Sequence, residues 1–328
     1  MSLNRRQFLA ASAALGATAS IAAPTSPLPF LIQMQSDPLL PKAKGKRVVI
    51  CGGGWGGVTA AKHLRLLDPS LEVVLLERNP VFFSCPMSNK WLVDVVDAQF
   101  LTFSYLDVAQ KYGYHFVQTE VTAFERDRKR VITAQGWVDY DYLILGAGIR
   151  YNYEAWFGND RKAADYTKAM FPAAYIPNAE HFKLKQGIQN FKGGDLVMTL
   201  PPPPHRCPPS PYERACLIAG LFKQRKIKGK VIILDPKPAP APITVGFQDA
   251  FRELYQDQIV YVPKAAIQEV DPFNRKIKTA AGDFTFDHSI LMAPHQAGDM
   301  AWKAGVIGKN AEGKPTGWAS VDPLFLNL

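Results

Sequence analysis

Residues 47–57 read Arg47-Val48-Val49-Ile50-Cys51 and then, without a break, Gly52-Gly53-Gly54-Trp55-Gly56-Gly57. The first five form a short apolar run, suited to a strand buried on both faces of a parallel sheet. Gly52, Gly54 and Gly57 fill the G-x-G-x-x-G positions. Residues 58–67 follow with apolar residues at helical spacing, and a second strand, Glu72–Leu76, ends at Glu77, 20 residues after Gly57. The first glycine permits a tight turn, the second lets a pyrophosphate approach the backbone, and the third lets helix and strand pack closely. The helix N-terminus presents unpaired N–H groups to the phosphates. Glu77 stands where a carboxylate accepts hydrogen bonds from ribose hydroxyls. The inference rests on the order of strand, glycines, helix, strand and acid, since a glycine motif alone is weak.

Further along, residues 139–148 carry an apolar strand into Gly146-Ala147-Gly148, preceded by short strands at Val117–Phe124 and Lys129–Ala134 with a turn at Gln135-Gly136. This looks like the closing of the first domain in flavoproteins built of two dinucleotide folds, where the glycine loop binds FAD. The expected cofactor-binding residues are Gly52, Gly53, Gly54, Trp55, Gly56, Gly57, Glu77, Arg78, Cys85, Val121, Ala147 and Gly148. The expected fold is α/β, two Rossmann-like domains of the FAD/NAD(P)-dependent pyridine nucleotide-disulfide oxidoreductase type.

A second βαβ skeleton is present: strand Asp195–Leu200, helix Tyr212–Lys226, and strand Lys230–Leu234 ending at Asp235. Its connecting loop, residues 201–211, is rich in proline and holds no glycine. Proline lacks an N–H and fixes φ, so such a loop cannot wrap a pyrophosphate with backbone donors. NAD(P)H is therefore not expected as reductant. The loop carries Cys207 beside His205 and Arg206, just ahead of a helix. A neighbouring cation and a helix N-terminus both favour thiolate, which makes Cys207 the candidate catalytic residue; an inert loop thiol is the alternative. Cys85, in Phe82-Phe83-Ser84-Cys85-Pro86-Met87-Ser88-Asn89, leaves the strand that ends in the ribose-binding acid and can pass near a flavin. Cys51 and Cys216 read as core. No cysteine or histidine spacing suggests a metal site.

Residues 1–23 hold Arg5-Arg6, then Phe8-Leu9, an Ala-rich apolar run and small residues suited to cleavage. This is the layout of a twin-arginine signal peptide and predicts export to the periplasm. Residues 24–44, Pro-rich and aperiodic, read as a linker. The remaining divisions are 45–155 for the FAD domain, 156–278 for the second dinucleotide fold, and 279–328 for an incomplete return to the first. With 38 Lys+Arg against 29 Asp+Glu, the chain is basic, but the charge is spread and no block argues for nucleic acid. No apolar stretch is long enough for a transmembrane helix. Four Cys among 328 residues exclude a disulfide scaffold.

Three stretches resemble the flavoprotein chain of flavocytochrome c sulfide dehydrogenase: Gly52–Gly57 with Glu77, Phe83-Ser84-Cys85 with Ser88-Asn89, and Arg206-Cys207-Pro208-Pro209-Ser210-Pro211-Tyr212-Glu213-Arg214-Ala215. The resemblance, which runs from about Lys46 to Pro323, implies FAD attached covalently through Cys85. It also implies a redox disulfide involving Cys207, oxidation of sulfide, and delivery of electrons to a c-type cytochrome partner. Two departures stand out. Ala319 occupies the place of the second redox cysteine, in Gly317-Trp318-Ala319-Ser320-Val321-Asp322. The family's C-terminal domain, opened by an apolar strand ending in Gly-Asp, is missing before the end at Leu328. Gly282-Asp283 lies in an expected hairpin turn, and Gly298-Asp299 follows Pro-His-Gln-Ala rather than a strand. The expected function is thus a periplasmic FAD-dependent oxidoreductase acting on sulfide or a related sulfur compound. A remnant with weak or no FAD binding and a sulfide:quinone reductase-like enzyme are the alternatives.

Overall fold

A computed structural model describes residues 37–177 and 179–324. The leader read at 1–23, and the linker up to residue 36, lie outside the described residues.

In chain order the first unit holds β1 (Arg47–Cys51), α1 (Trp55–Leu67), β2 (Glu72–Glu77), β3 (Val81–Phe83), α2 (Ser88–Leu92), β4 (Thr102–Ser104), α3 (Tyr105–Tyr112) and β5 (His115–Gln118). It continues through β6 (Val121–Glu125), β7 (Arg130–Thr133), β8 (Gly136–Asp139) and β9 (Tyr142–Leu145). Then come β10 (Ile149–Tyr151), α4 (Glu154–Phe157), α5 (Arg161–Met170) and α6 (Ala179–Asn190). The second unit holds β11 (Gly194–Thr199), α7 (Ser210–Arg225), β12 (Gly229–Leu234), α8 (Thr244–Asp249), β13 (Ile259–Val262), β14 (Ile267–Asp271), β15 (Lys276–Thr279), β16 (Gly282–Thr285) and β17 (His288–Leu291). The chain then passes through β18 (His295–Ala297), α9 (Asp299–Lys303), β19 (Ile307–Lys309) and β20 (Pro315–Ala319).

The two units repeat one plan. The first sheet has the order β5-β2-β1-β9 and the second β13-β12-β11-β17, both entirely parallel. In each, a three-stranded antiparallel sheet, β6-β7-β8 or β14-β15-β16, precedes the last parallel strand. Alternation along β1 explains the layering. Val48 and Ile50 join the core under α1 and α3, while Val49 and Cys51 face the core under β6-β7-β8. Both faces are covered, as a parallel sheet requires.

Several expectations are corrected. The segment Val117–Phe124 is two strands: Thr119 and Glu120 break it, and β5 joins the parallel sheet while β6 joins the antiparallel one. Hydropathy reports burial and not the partner strand, so it merged them. The linker reading of 24–44 fails at its end. Leu39 N–H donates to Trp137 O (2.8 Å), Trp137 N–H donates to Asp37 O (3.1 Å), and Leu39 and Leu40 pack on the core. Isolated backbone pairing of this kind leaves no periodic trace. The second sheet takes in β17, so its chain reaches past residue 278. Gly298-Asp299 does follow a strand: β18 pairs antiparallel with β10, Tyr151 opposite His295 and Ile149 opposite Ala297. Three residues reading His-Gln-Ala have no strand signature of their own, and the ladder with β10 makes them one.

Arg47, read only as part of an apolar run, is 1% exposed. Its guanidinium bonds Glu72 Oε1 (2.8 Å from Nε), Asp139 and the Pro41 carbonyl, and its backbone N–H donates to Asp141 (2.8 Å). This cluster ties the segment before β1 to β2 and to the end of β8.

Candidate functional site

β1 and β9 lie side by side, and the chain leaves them in different directions: α1 follows β1, and β10 follows β9. A cleft beyond the carboxyl ends of strands at such a switch point is where parallel sheets bind ligands. Here it gathers Gly52, Gly53, Gly54, Trp55, Glu77, Arg78, Cys85, Val121, Ala147 and Gly148. Gly56 and Gly57 lie outside its lining, inside α1. The helix starts at Trp55, three residues earlier than its apolar spacing indicated.

The glycine loop is shaped by close approach. Gly52 has φ 105°, and a Cβ there would stand 2.4 Å from Gly146 O. Gly54 has open space where its Cβ would be. It caps α1 without any side-chain hydrogen bond, and the first turn carries no acid. Backbone N–H groups of that turn are therefore available to an anion. Tyr105 Oη donates to Gly53 O (2.8 Å), and Gly53 N–H donates to Glu77 Oε2 (2.7 Å). Glu77 Oε1 accepts from Asn79 N–H (2.8 Å) and Asn79 Nδ2 (2.6 Å). Glu77 thus braces the loop, and its remaining lone pairs can still accept from a ribose. These features fit the pyrophosphate and ribose of a dinucleotide.

Cys85 lines the same cleft. Trp55 Nε1 donates to Ser84 Oγ (3.2 Å), which ties the Cys85 loop to α1. Cys85 Sγ donates to Tyr175 O (3.6 Å), and Arg206 Nη1 donates to the same oxygen (3.0 Å). Burial pushes the Cys85 thiol up, while the guanidiniums of Arg206 and Arg214 pull it down. The segment 173–177 that supplies Tyr175 O is held tightly. Arg214, 2% exposed, donates from Nη2 to Ala174 O (3.1 Å), from Nη1 to Ala173 O, and from Nε to Asn89 Oδ1 (2.9 Å). Asn89 Nδ2 in turn donates to Ser210 Oγ (3.0 Å) and Glu213 (2.7 Å). Glu180 accepts from Tyr151 Oη (2.7 Å) and Ile176 N–H (2.8 Å), and burial raises its carboxyl.

Arg206 reaches the cleft but Cys207 does not line it; Cys207 is exposed with φ 52°. A non-glycine residue in that region carries backbone strain. Arg206 N–H donates to His295 Nδ1 (3.0 Å), whose ring is buried and held far toward the neutral form, its pKa lowered to about 3 by burial. β20, with Ala319, packs against the β18 strand that carries His295. Cys51 and Cys216 are buried and part-buried, and burial raises them to about 12 and about 11. Sequence reasoning missed Tyr105, Arg150, Ile176, Pro177 and Lys303 as lining residues, and did not place Arg206 in the cleft. Only Arg206 had a signal, its place in the 206–215 string.

The second unit differs at the matching point. Asp235, fully buried, accepts from Tyr212 Oη, Tyr261 Oη (2.9 Å) and Lys237 N–H (2.8 Å), with Lys237 Nζ at 3.0 Å. The acid that would meet a nucleotide ribose is occupied by its own unit.

Two parallel sheets of one plan, a glycine loop at the first and a cleft beside it define an oxidoreductase of the two-dinucleotide-fold class. Residues 46–187 match the family model of pyridine nucleotide-disulphide oxidoreductases. Residues 183–291 match the central part of the sulfide dehydrogenase [flavocytochrome c] flavoprotein chain, and a stretch of 44 residues is 57% identical to that flavoprotein chain of Chlorobaculum thiosulfatiphilum, covering 13% of this chain and 92% of that sequence. The chain belongs to the flavoprotein-chain family of flavocytochrome c sulfide dehydrogenase. It is also 24% identical over 238 residues to the sulfide-quinone reductase of Aquifex aeolicus (strain VF5), 69% of this chain and 53% of the relative. The structure of the sulfide:quinone oxidoreductase from Aquifex aeolicus shares the fold, with TM-score 0.65 at 19% identity over 82% of this chain and 63% of that one. This chain therefore spans about half the length of that longer curated relative.

Proposed function

We propose that this chain is a periplasmic FAD-dependent oxidoreductase that takes electrons from sulfide or a related sulfur compound and passes them to a c-type cytochrome. The observation that carries this reading is the cleft itself, which the glycine loop before α1 lines together with Cys85 and Arg206. The uncapped first turn of α1 would hold the pyrophosphate, with Glu77 at the ribose and Cys85 as covalent tether. FAD, when bound, supplies acceptance of an electron pair and onward delivery of single electrons. Arg206 contributes positive charge beside Cys85, which suits an anionic sulfur species. Cys207 stands next in the chain, exposed and outside the lining of the cleft. The Asp235 cluster and the glycine-free loop of residues 201–209 support a reductant other than NAD(P)H. A quinone acceptor is the second reading, favoured by the likeness to the Aquifex sulfide-quinone reductase. Among the described residues no helix is long and apolar enough to cross a membrane.

The test is a denaturing gel of the purified chain viewed under ultraviolet light. A fluorescent band that Cys85→Ala abolishes supports a flavin tethered at Cys85. A chain that carries no flavin at all, covalent or free, overturns the oxidoreductase reading. Cytochrome c and quinone, supplied separately with sulfide, then decide between the two acceptors.

A further inference from the structure

The turn from α7 into β12 is strongly basic. Lys223, Arg225, Lys226, Lys228 and Lys230 fall within residues 223–230, and all are exposed. The fold brings a further cation to them. Gly194 N–H donates to Lys228 O (3.0 Å), and a Cβ on Gly193 would stand 2.7 Å from that oxygen, so the exposed Lys192 lies beside the turn. β11 and β12 then start level, with Gly194 opposite Gly229 and Asp195 opposite Lys230. We propose that this amino edge of the second sheet is a docking surface for an anionic lipid bilayer.

The charge of the edge is only partly neutralised. Arg225 pairs with Asp94 (3.2 Å), which Lys185 also holds, and Lys223 Nζ donates to Leu254 O (3.0 Å). Lys192, Lys226, Lys228 and Lys230 have no carboxylate within salt-bridge distance among the described residues. The other acids of the edge are Asp195, Asp287 and Asp257. Asp287 accepts from Asp195 N–H (2.9 Å), with Arg275 on its carbonyl oxygen (3.1 Å). Asp257 precedes Gln258, whose carbonyl accepts from Val231 N–H (2.7 Å). Cations therefore outnumber acids, and the four unpaired lysines carry the excess.

The make-up of the edge selects the partner. None of the large exposed apolar side chains lies within residues 190–194 or 223–230. A protein partner finds no aromatic anchor there, and single-stranded nucleic acid finds no stacking platform. The arginine is engaged by Asp94, which leaves lysines, hydrated point charges suited to a diffuse anionic surface rather than to bidentate recognition. Position agrees. β11 is six residues long, so about 20 Å separates this edge from the loop that carries Arg206 into the cleft. An electron carrier seated on the edge would stand that far from the cleft, whereas a bilayer there has only to hold the chain.

The test sediments the full chain with vesicles of phosphatidylcholine, alone or mixed equally with phosphatidylglycerol. The wild type is expected to bind the mixed vesicles only, and about 1 M NaCl, which cuts the screening length to about 3 Å, should release it. Lys192→Gln, Lys226→Gln, Lys228→Gln and Lys230→Gln together are expected to weaken binding several hundredfold, at about fivefold per lysine. A charge-matched control, Lys42→Gln, Lys44→Gln, Lys162→Gln and Lys309→Gln, changes lysines exposed elsewhere and should stay within a few-fold of the wild type. Residues 1–36 are common to all three proteins and cancel from the comparison. If the quadruple variant melts early, the four single changes replace it, each expected to cost about fivefold. Equal weakening of the edge and control variants overturns the proposal, because net charge alone would then suffice. So does wild-type binding that phosphatidylcholine alone supports equally, that salt does not release, or that fails on the mixed vesicles. Tighter edge-dependent binding to a DNA duplex or to polyglutamate, run as parallel probes, also overturns it. Flavin content plays no part in the readout, so this inference and the oxidoreductase reading fail separately.

Discussion

A Cβ on Gly57 would stand 1.8 Å from the carbonyl oxygen of Gly52. The end of β1 and the first turns of α1 therefore touch backbone to backbone. Gly57→Ala is expected to cost about 3 kcal/mol, through forced separation of helix and strand. Gly54→Ala meets nothing within 4 Å and should leave stability unchanged, while weakening flavin retention. Urea unfolding of both variants, with flavin content measured on each, checks the contrast. Equal stability losses would show that the loop is not shaped around a ligand.

The buried Arg47 cluster is a second weight-bearing point. Arg47→Ala strands Glu72 and Asp139 and should cost about 3–5 kcal/mol. Arg47→Met fills the space without the charge and should cost less. Denaturant midpoints rank the two, and the reverse order would refute the ionic account.

Asp235 is bonded by Tyr212 and Tyr261 where a nicotinamide-binding unit would meet a ribose. Titration with NADH should leave protein fluorescence and melting temperature unchanged. Tyr261→Phe is expected to cost about 1–2 kcal/mol, since the fully buried Asp235 loses one donor. Saturable NADH binding in the wild-type chain would contradict this reading.

Two buried histidines, His181 and His295, and the part-buried His288 set an acid limb. Burial lowers His181 and His295 to about 3 and His288 to about 4, from an ordinary value of 6.5. Below pH 6.5 the unfolded chain takes up protons that the folded chain refuses until pH 3–4. Stability is therefore fully present above pH 6.5 and is lost as pH falls toward 4. Melting temperatures from pH 7 to 4.5 should fall with a slope that His288→Gln makes shallower. An unchanged slope would remove His288 from the account.

Ala319 stands on β20, a strand that packs against β18. If sulfide turnover runs through a disulfide with Cys207, Ala319→Cys should raise the rate several-fold, and Cys207→Ser should cancel the gain. Equal turnover with and without the new cysteine would exclude that disulfide from the mechanism.

How much was legible follows from the range of each signal. The glycine loop, the strand ending at Glu77 and the second β11-α7-β12 skeleton are local patterns, and periodicity reads them within a residue or three. Thr119 and Glu120 break what looked like one strand because strand partners are chosen across the chain. Glu77 was placed for a ribose, yet one of its oxygens also braces Gly53 N–H, a contact set by the approach of two parallel strands.

The sequence by itself determined the class of fold and the dinucleotide loop, because local spacing and residue chemistry carry that information. Tertiary structure alone decided that Arg206 would meet Cys85 at Tyr175 O, that Asp235 would be filled by two tyrosines, and that Arg47 would be buried among acids. Those groups lie up to 121 positions apart in the chain. Only the packing of separate elements brings them within hydrogen-bonding distance: the 173–177 segment against Cys85 and Arg206, α7 and β13 around Asp235, and β2 and β8 around Arg47, and no pattern along the sequence encodes that approach.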